Sequence, residues 1–178
     1  HDVKEKFDQI EKIVIRTQEP AIRIISKVGN LANAADRDHC IQYMAAVGLI
    51  YGDLKAEFYE DDFHSENPLI DSLRDKMEIK EDKRFSDDYL DPEKRSIANA
   101  MKIIFKDGSS TNDIEVEYPI GHKRRRSEGI PLLEQKFLNN LYTCFDKDKS
   151  NSIYKLGTNQ ENLENTTVHD FMAMLVKN

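Results

Sequence analysis

The sequence contains no tryptophan and only two cysteines, and it has no apolar run approaching the ~20 residues that a membrane-spanning helix needs. Each shortage excludes something. Cys40 and Cys144 show no CxxC spacing, so neither a zinc site nor a disulfide framework is expected. Two thiols also fall short of the roughly three or four thiolates that hold an iron–sulfur cluster. With no apolar span and no visible cleavable leader, no membrane partner is expected. Positive charge is in deficit: 26 Lys and Arg stand against 33 Asp and Glu, a net charge of −7, which disfavours general nucleic-acid binding. The 178 residues are 39% apolar and 33% charged, a polar composition that still supplies enough Ile, Leu, Val and Phe for one core. The first residue is His1 rather than Met, which leads us to expect a fragment or a processed form.

The pattern along the chain predicts an α+β fold. Residues 4–11 read as the end of a helix, and "KIVIRT" alternates with β-branched residues, the signature of a strand. After Pro20, "AIRIIS" is expected to continue that strand or pair with it. Asp36 reads as the cap of a helix over residues 37–51, apolar almost all round from Met44 onward, with Gly52 closing it. A short helix over 54–59 and a longer one over "NPLIDSLRDKMEI", with Asn67 as cap and Pro68 first, are expected next. Two alternating runs flank Asp107-Gly108, a hairpin signal. "KRRRSEG" reads as a polar loop, and "IPLLEQKFLNNLYTCF" as an amphipathic helix. The polar "DKDKSNS" then separates it from two short helices. Helices and strands do not alternate regularly, so α+β is expected rather than a doubly wound sheet.

Three local patterns invite a chemical reading. His39 and Tyr43, four apart, would share one face of a helix. They are either packing residues with satisfied hydrogen bonds or one wall of a reaction site. The run His122 to Arg126, "HKRRR", is the densest positive charge in an acidic chain. It is either a solvated loop or, since arginine's planar fork matches carboxylates, a site for a polyanionic acid. Asp146, Asp148 and Ser150 imitate the start of a calcium loop. Asn151 and Gly157 stand where the turn glycine and the bidentate glutamate belong, so no metal is expected. "NTT" at 165–167 matches a glycosylation tripeptide, which means little without a secretory signal.

Four blocks carry a resemblance: "AIRIISKVGNLANAADRDHCIQYMAAVGLIYG", "NPLIDSLRDKMEI", "DPEKRSIANAM" and "FKDGSSTNDIEVEYPIGHKRRRSEGIPLLEQKF". Together they resemble the MmgE/PrpD family from about Phe7 to Phe145, and weakly through "VHDFMAMLVKN", while residues 146–165 depart from it. The resemblance implies the C-terminal portion of a longer protein. Residues 1–130 would be a small α+β domain, and residues 131–178 helices returning to a larger helical domain. The implied reaction is dehydration of 2-methylcitrate to 2-methyl-cis-aconitate in propionate breakdown, without an iron–sulfur cluster or other cofactor. A tyrosine of the α+β domain faces the site in related decarboxylases and epimerases, and it matches Tyr43, with His39 beside it. That phenol would look out of its helix into a cleft. His122, Arg124, Arg125 and Arg126 are the candidate carboxylate ligands. The remaining acid and base residues would precede His1, so the chain is expected to be catalytically incomplete. A homodimer is implied, in the mitochondrial matrix of a eukaryote or the cytoplasm of a bacterium. The alternatives are a stand-alone tricarboxylate-binding or interaction module, and a family member that decarboxylates or epimerises its substrate.

Overall fold

A computed structural model describes residues 3–176. The chain divides into two compact units, residues 1–117 and 118–178. The first contains a four-stranded mixed sheet in the order β2-β1-β3-β4. β1 (Ile10–Thr17) runs parallel to β2 (Met77–Glu81) and antiparallel to β3 (Asn99–Phe105), and β3 pairs antiparallel with β4 (Ile114–Val116).

The register gives the sheet one apolar and one charged face. Ile13 lies beside Met77 and Ile103, and Ile15 beside Ile79 and Met101. One residue out of phase, Val14 lies beside Glu78 and Lys102, and Arg16 beside Lys80 and Ala100. Glu78 is flanked by Lys12 and Lys80, which hold its carboxyl below the usual range. α3 (Ile41–Tyr51) and α5 (Leu69–Arg74) supply Tyr43, Ala46, Val47, Ile70 and Leu73 to the core against Ile13 and Ile15.

Several elements depart from the expected ones, each for a local reason. Residues after Thr17 turn into helix α1 (Glu19–Ile25) instead of a second strand, because Pro20 sits in its first turn, where proline's fixed φ favours helix. The helix expected over 37–51 is two. α2 (Ala34–Asp38) is capped by Asn33, whose side chain accepts from the Asp36 amide, and Cys40 is extended before α3 begins. Gly52 closes α3 in the left-handed region at φ 72°. The 54–59 helix shrinks to a 3-10 turn at Ala56–Tyr59, followed by α4 (Asp61–Glu66). The helix after Pro68 stops at Arg74, and "MEI" opens β2 instead. α6 (Lys83–Leu90), capped by Asp82, was not visible in the apolar pattern. Near the start, only a 3-10 turn at Phe7–Gln9 forms, and Ile10 already belongs to β1. The hairpin forms only in part: β3 and β4 pair antiparallel from Asn99–Val116 to Met101–Ile114, but residues 106–113 separate them, and the Asp107-Gly108 turn closes on an isolated bridge between Ile104 and Ser110. Gly108 takes φ 84°, and the Phe105 amide donates to the Ser109 carbonyl.

In the second unit a 3-10 turn (Lys123–Arg125) leads into α7 (Arg126–Tyr142), so the basic run is helical rather than a loop. "DKDKSNS" opens α8 (Lys147–Gly157), with Asp146 as a cap accepting from the Lys149 amide. α9 (Gln160–Glu164) and α10 (Val168–Met174) follow. Gly157 lies against the Phe137 ring, where an added Cβ would come within 3.1 Å.

Candidate functional site

The expectation of an outward-facing phenol at position 43 is overturned. The Tyr43 side chain is fully buried, and its hydroxyl donates to the Phe58 carbonyl at 2.6 Å. Burial pushes its pKa up to about 12, so its proton stays on the ring near neutrality. Tyr59 stacks on it at 6.1 Å, and His64 meets it edge-on at 5.4 Å. His39 does not join it. The break before α3 leaves His39 as the cap of α2, exposed, with its Nδ1 3.2 Å from an Asp38 carboxylate oxygen.

Around Tyr43 lies a polar cluster that sequence reasoning missed. Arg37 is only 2% exposed. Its Nε donates to the Tyr59 carbonyl at 2.6 Å and one terminal nitrogen to the Leu31 carbonyl at 3.3 Å. The same nitrogen lies 3.4 Å from His64 Nδ1, and the other terminal nitrogen pairs with Asp61. His64 Nε2 is 3.0 Å from Asp71, which also pairs with Arg74. An arginine can only donate, so this pattern assigns His64 Nδ1 as acceptor and Nε2–H as donor to Asp71. Arg37 and Tyr43 thus tie adjacent carbonyls, 58 and 59, to the helices beneath them. The signal was in the sequence: "RDHC" puts an arginine just before an apolar helix, where it must be either exposed or fully partnered.

The basic candidates lie in the second unit and converge on Tyr118. The His122 ring lies 4.6 Å from the Tyr118 ring, and the Arg124 guanidinium sits over its face at 5.0 Å. Arg125 donates to the Tyr118 carbonyl at 3.0 Å and grips both carboxylate oxygens of Glu128 at 3.0 and 2.7 Å. That fork holds the Glu128 carboxyl below its usual range and raises Arg125 further. His122 Nδ1 accepts from the Arg124 amide at 3.2 Å. Arg126 is exposed and begins α7. Gly129 lets the segment close: a Cβ there would stand 2.4 Å from the Ile120 carbonyl oxygen, so only glycine allows α7 this near approach. The arrangement is a cationic edge braced by a tyrosine, a glutamate and a glycine, suited to carboxylate recognition.

Among the described residues, no three His, Cys, Asp or Glu side chains group so as to hold a metal ion. Asp146, Asp148 and Ser150 lie at the start of a helix instead of around a calcium loop. Cys40 is buried and Cys144 exposed. No described helix is long and apolar enough to cross a membrane.

Residues 1–162 match the model of the MmgE/PrpD C-terminal domain, and the chain belongs to that family. Among its relatives is the protein of Yarrowia lipolytica named "2-methylcitrate dehydratase, mitochondrial", 49% identical over 96% of this chain. The "2-methylcitrate dehydratase" of Escherichia coli K12 is 47% identical over 94%, and the "Probable 2-methylcitrate dehydratase" of Saccharomyces cerevisiae is 49% identical over 96%. The chain spans about a third of the length of these relatives.

Proposed function

We propose that the chain is the C-terminal portion of a hydro-lyase that converts 2-methylcitrate to 2-methyl-cis-aconitate and water, within propionate breakdown and without an iron–sulfur cluster. The observation that carries this reading is the 47–49% identity, along almost the whole chain, to relatives bearing that activity in their names. The reaction needs a base for a weakly acidic C–H beside a carboxylate, an acid for the departing hydroxyl, and cations for the other carboxylates. In this reading His122, Arg124 and Arg126 meet substrate carboxylates, and Arg125, committed to Glu128 and Tyr118, fixes the segment. His39, exposed beside Asp38, is a second imidazole that solvent and ligand can reach. Tyr43 acts as a positioning residue through the Phe58 carbonyl. Residues 1–130 form the family's small α+β domain, and residues 131–178 return to a helical domain that supplies the missing acid and base. A homodimer belongs to the same reading. So does a matrix location in a eukaryote, in keeping with the Yarrowia relative's name, or a cytoplasmic one in a bacterium.

The test is turnover. The full-length protein is expected to convert 2-methylcitrate to a conjugated acid, followed as rising ultraviolet absorbance, while the 178-residue chain yields none. Turnover by the chain alone would show that it is catalytically complete. No turnover by the full-length protein on 2-methylcitrate would remove the assigned activity.

A further inference from the structure

The basic segment also carries a hydroxyl. Ser127 lies in the first turn of α7, exposed, immediately after Arg124, Arg125 and Arg126. No other serine or threonine in the sequence has arginine both two and three positions before it. That spacing is a recognition signal, because a kinase whose peptide groove is lined with carboxylates can take each guanidinium as a planar fork.

Presenting that hydroxyl to a kinase means opening the turn around it, and α7 is weak there. The helical partner of the Ser127 carbonyl would be the amide of residue 131, but Pro131 has no N–H to give. The amides of a first turn have no helical partners to lose. Gly129, in the same turn, is a poor helix former. The fork from Arg125 to Glu128 lies at the surface, and a kinase carboxylate can take its place. The segment therefore opens locally without disturbing the rest of the helix.

We propose that Ser127 is a phosphorylation site for an arginine-directed serine kinase, and that its phosphate closes the carboxylate-binding edge. The effect on the edge rests on the function proposed above. In the transfer, the Ser127 hydroxyl proton passes to a carboxylate base of the kinase. A bond forms between Oγ and the γ-phosphorus of ATP, the bond from that phosphorus to the β,γ-bridging oxygen breaks, and ADP leaves. The product adds a charge of about −1.5 to −2 within the run that holds Arg124 and Arg126. Its oxygens pair with the guanidinium groups that the substrate carboxylates need, and the N-terminus of α7 favours the dianion. Substrate then meets an edge that is already filled and repels it.

The test treats the full-length protein with ATP and cyclic-AMP-dependent protein kinase, which selects arginine at those two positions. Peptide mapping by mass spectrometry should place the phosphate on Ser127. KM for 2-methylcitrate should then rise about tenfold or more, with kcat held within about twofold. Ser127→Ala, treated in the same way, should show no rise. Pro131→Ala restores the missing backbone hydrogen bond and should slow phosphorylation about threefold or more; an equal rate would overturn the opening of the turn. No phosphate on Ser127 of the folded protein would overturn the site, and an unchanged KM with Ser127 fully phosphorylated would overturn the closure. Phosphate on Ser127 of a protein that does not turn over 2-methylcitrate would strike the proposed activity and leave the site standing; turnover by a protein that takes no phosphate on Ser127 would do the reverse.

Discussion

Replacing Arg37 with alanine is expected to destabilise the chain by about 3–4 kcal/mol, near the upper end of single substitutions. The loss does not come mainly from the ion pair. Asp61 keeps a side chain that is 75% exposed, and water takes over its charge. The cost lies in the carbonyls of Leu31 and Tyr59 and the Nδ1 of His64, which lose their donor inside the protein. Orphaned buried acceptors cost about 1–3 kcal/mol each, and the emptied volume adds to that. For a chain of this size the melting temperature should fall by roughly 10 °C, measured by circular dichroism. Arg37→Lys keeps the charge but not the planar fork, so it should recover only part of the loss. A shift under about 2 °C for Arg37→Ala would mean that the cluster does not hold the 56–66 segment.

The second large effect is at Tyr43. Tyr43→Ala empties a fully buried aromatic position and should cost about 3–5 kcal/mol. Tyr43→Phe keeps the volume and leaves the Phe58 carbonyl without its donor, costing about 1–2 kcal/mol. The phenol also carries a pH signature. Its pKa is raised from 10.0 to about 12 in the fold, so unfolding releases its proton more readily than the folded state does. Its contribution is whole below pH 10 and is lost as pH rises through about 12. Tyr43→Phe should remove that part of the alkaline loss. In the full-length protein, Tyr43→Phe is expected to lower the melting temperature while holding kcat within about threefold. A fall in kcat of about a hundredfold at unchanged melting temperature would place the phenol at the reacting atoms.

Much of the fold was legible, and the exceptions have physical causes. β1 and the antiparallel pairing of β3 with β4 could be read because alternation marks both runs, but the long connection over residues 106–113 could not, since the Asp107-Gly108 signal points to a tight turn. β2 was hidden because "MEIKE" is rich in helix formers and only partly buried, so its strand character comes from pairing with β1. The break at Cys40 carries no Gly or Pro to mark it. The direction of Tyr43 was not legible because α3 is apolar almost all round, and such a helix shows no preferred face in its periodicity. At the candidate site, the density of charge at 122–126 stood out in the sequence. Its bracing did not: Tyr118 looked like one more alternating strand residue, and Gly129 like an ordinary glycine. Those roles depend on contacts that no local pattern encodes.

The central claim is that the segment braced on Tyr118 holds substrate carboxylates. The direct measurement is KM for 2-methylcitrate in the full-length protein carrying Arg126→Ala, whose exposed side chain makes the fold indifferent to its loss. A charge-assisted contact to substrate predicts a KM raised about tenfold or more, with the melting temperature unchanged. An unchanged KM would contradict the claim.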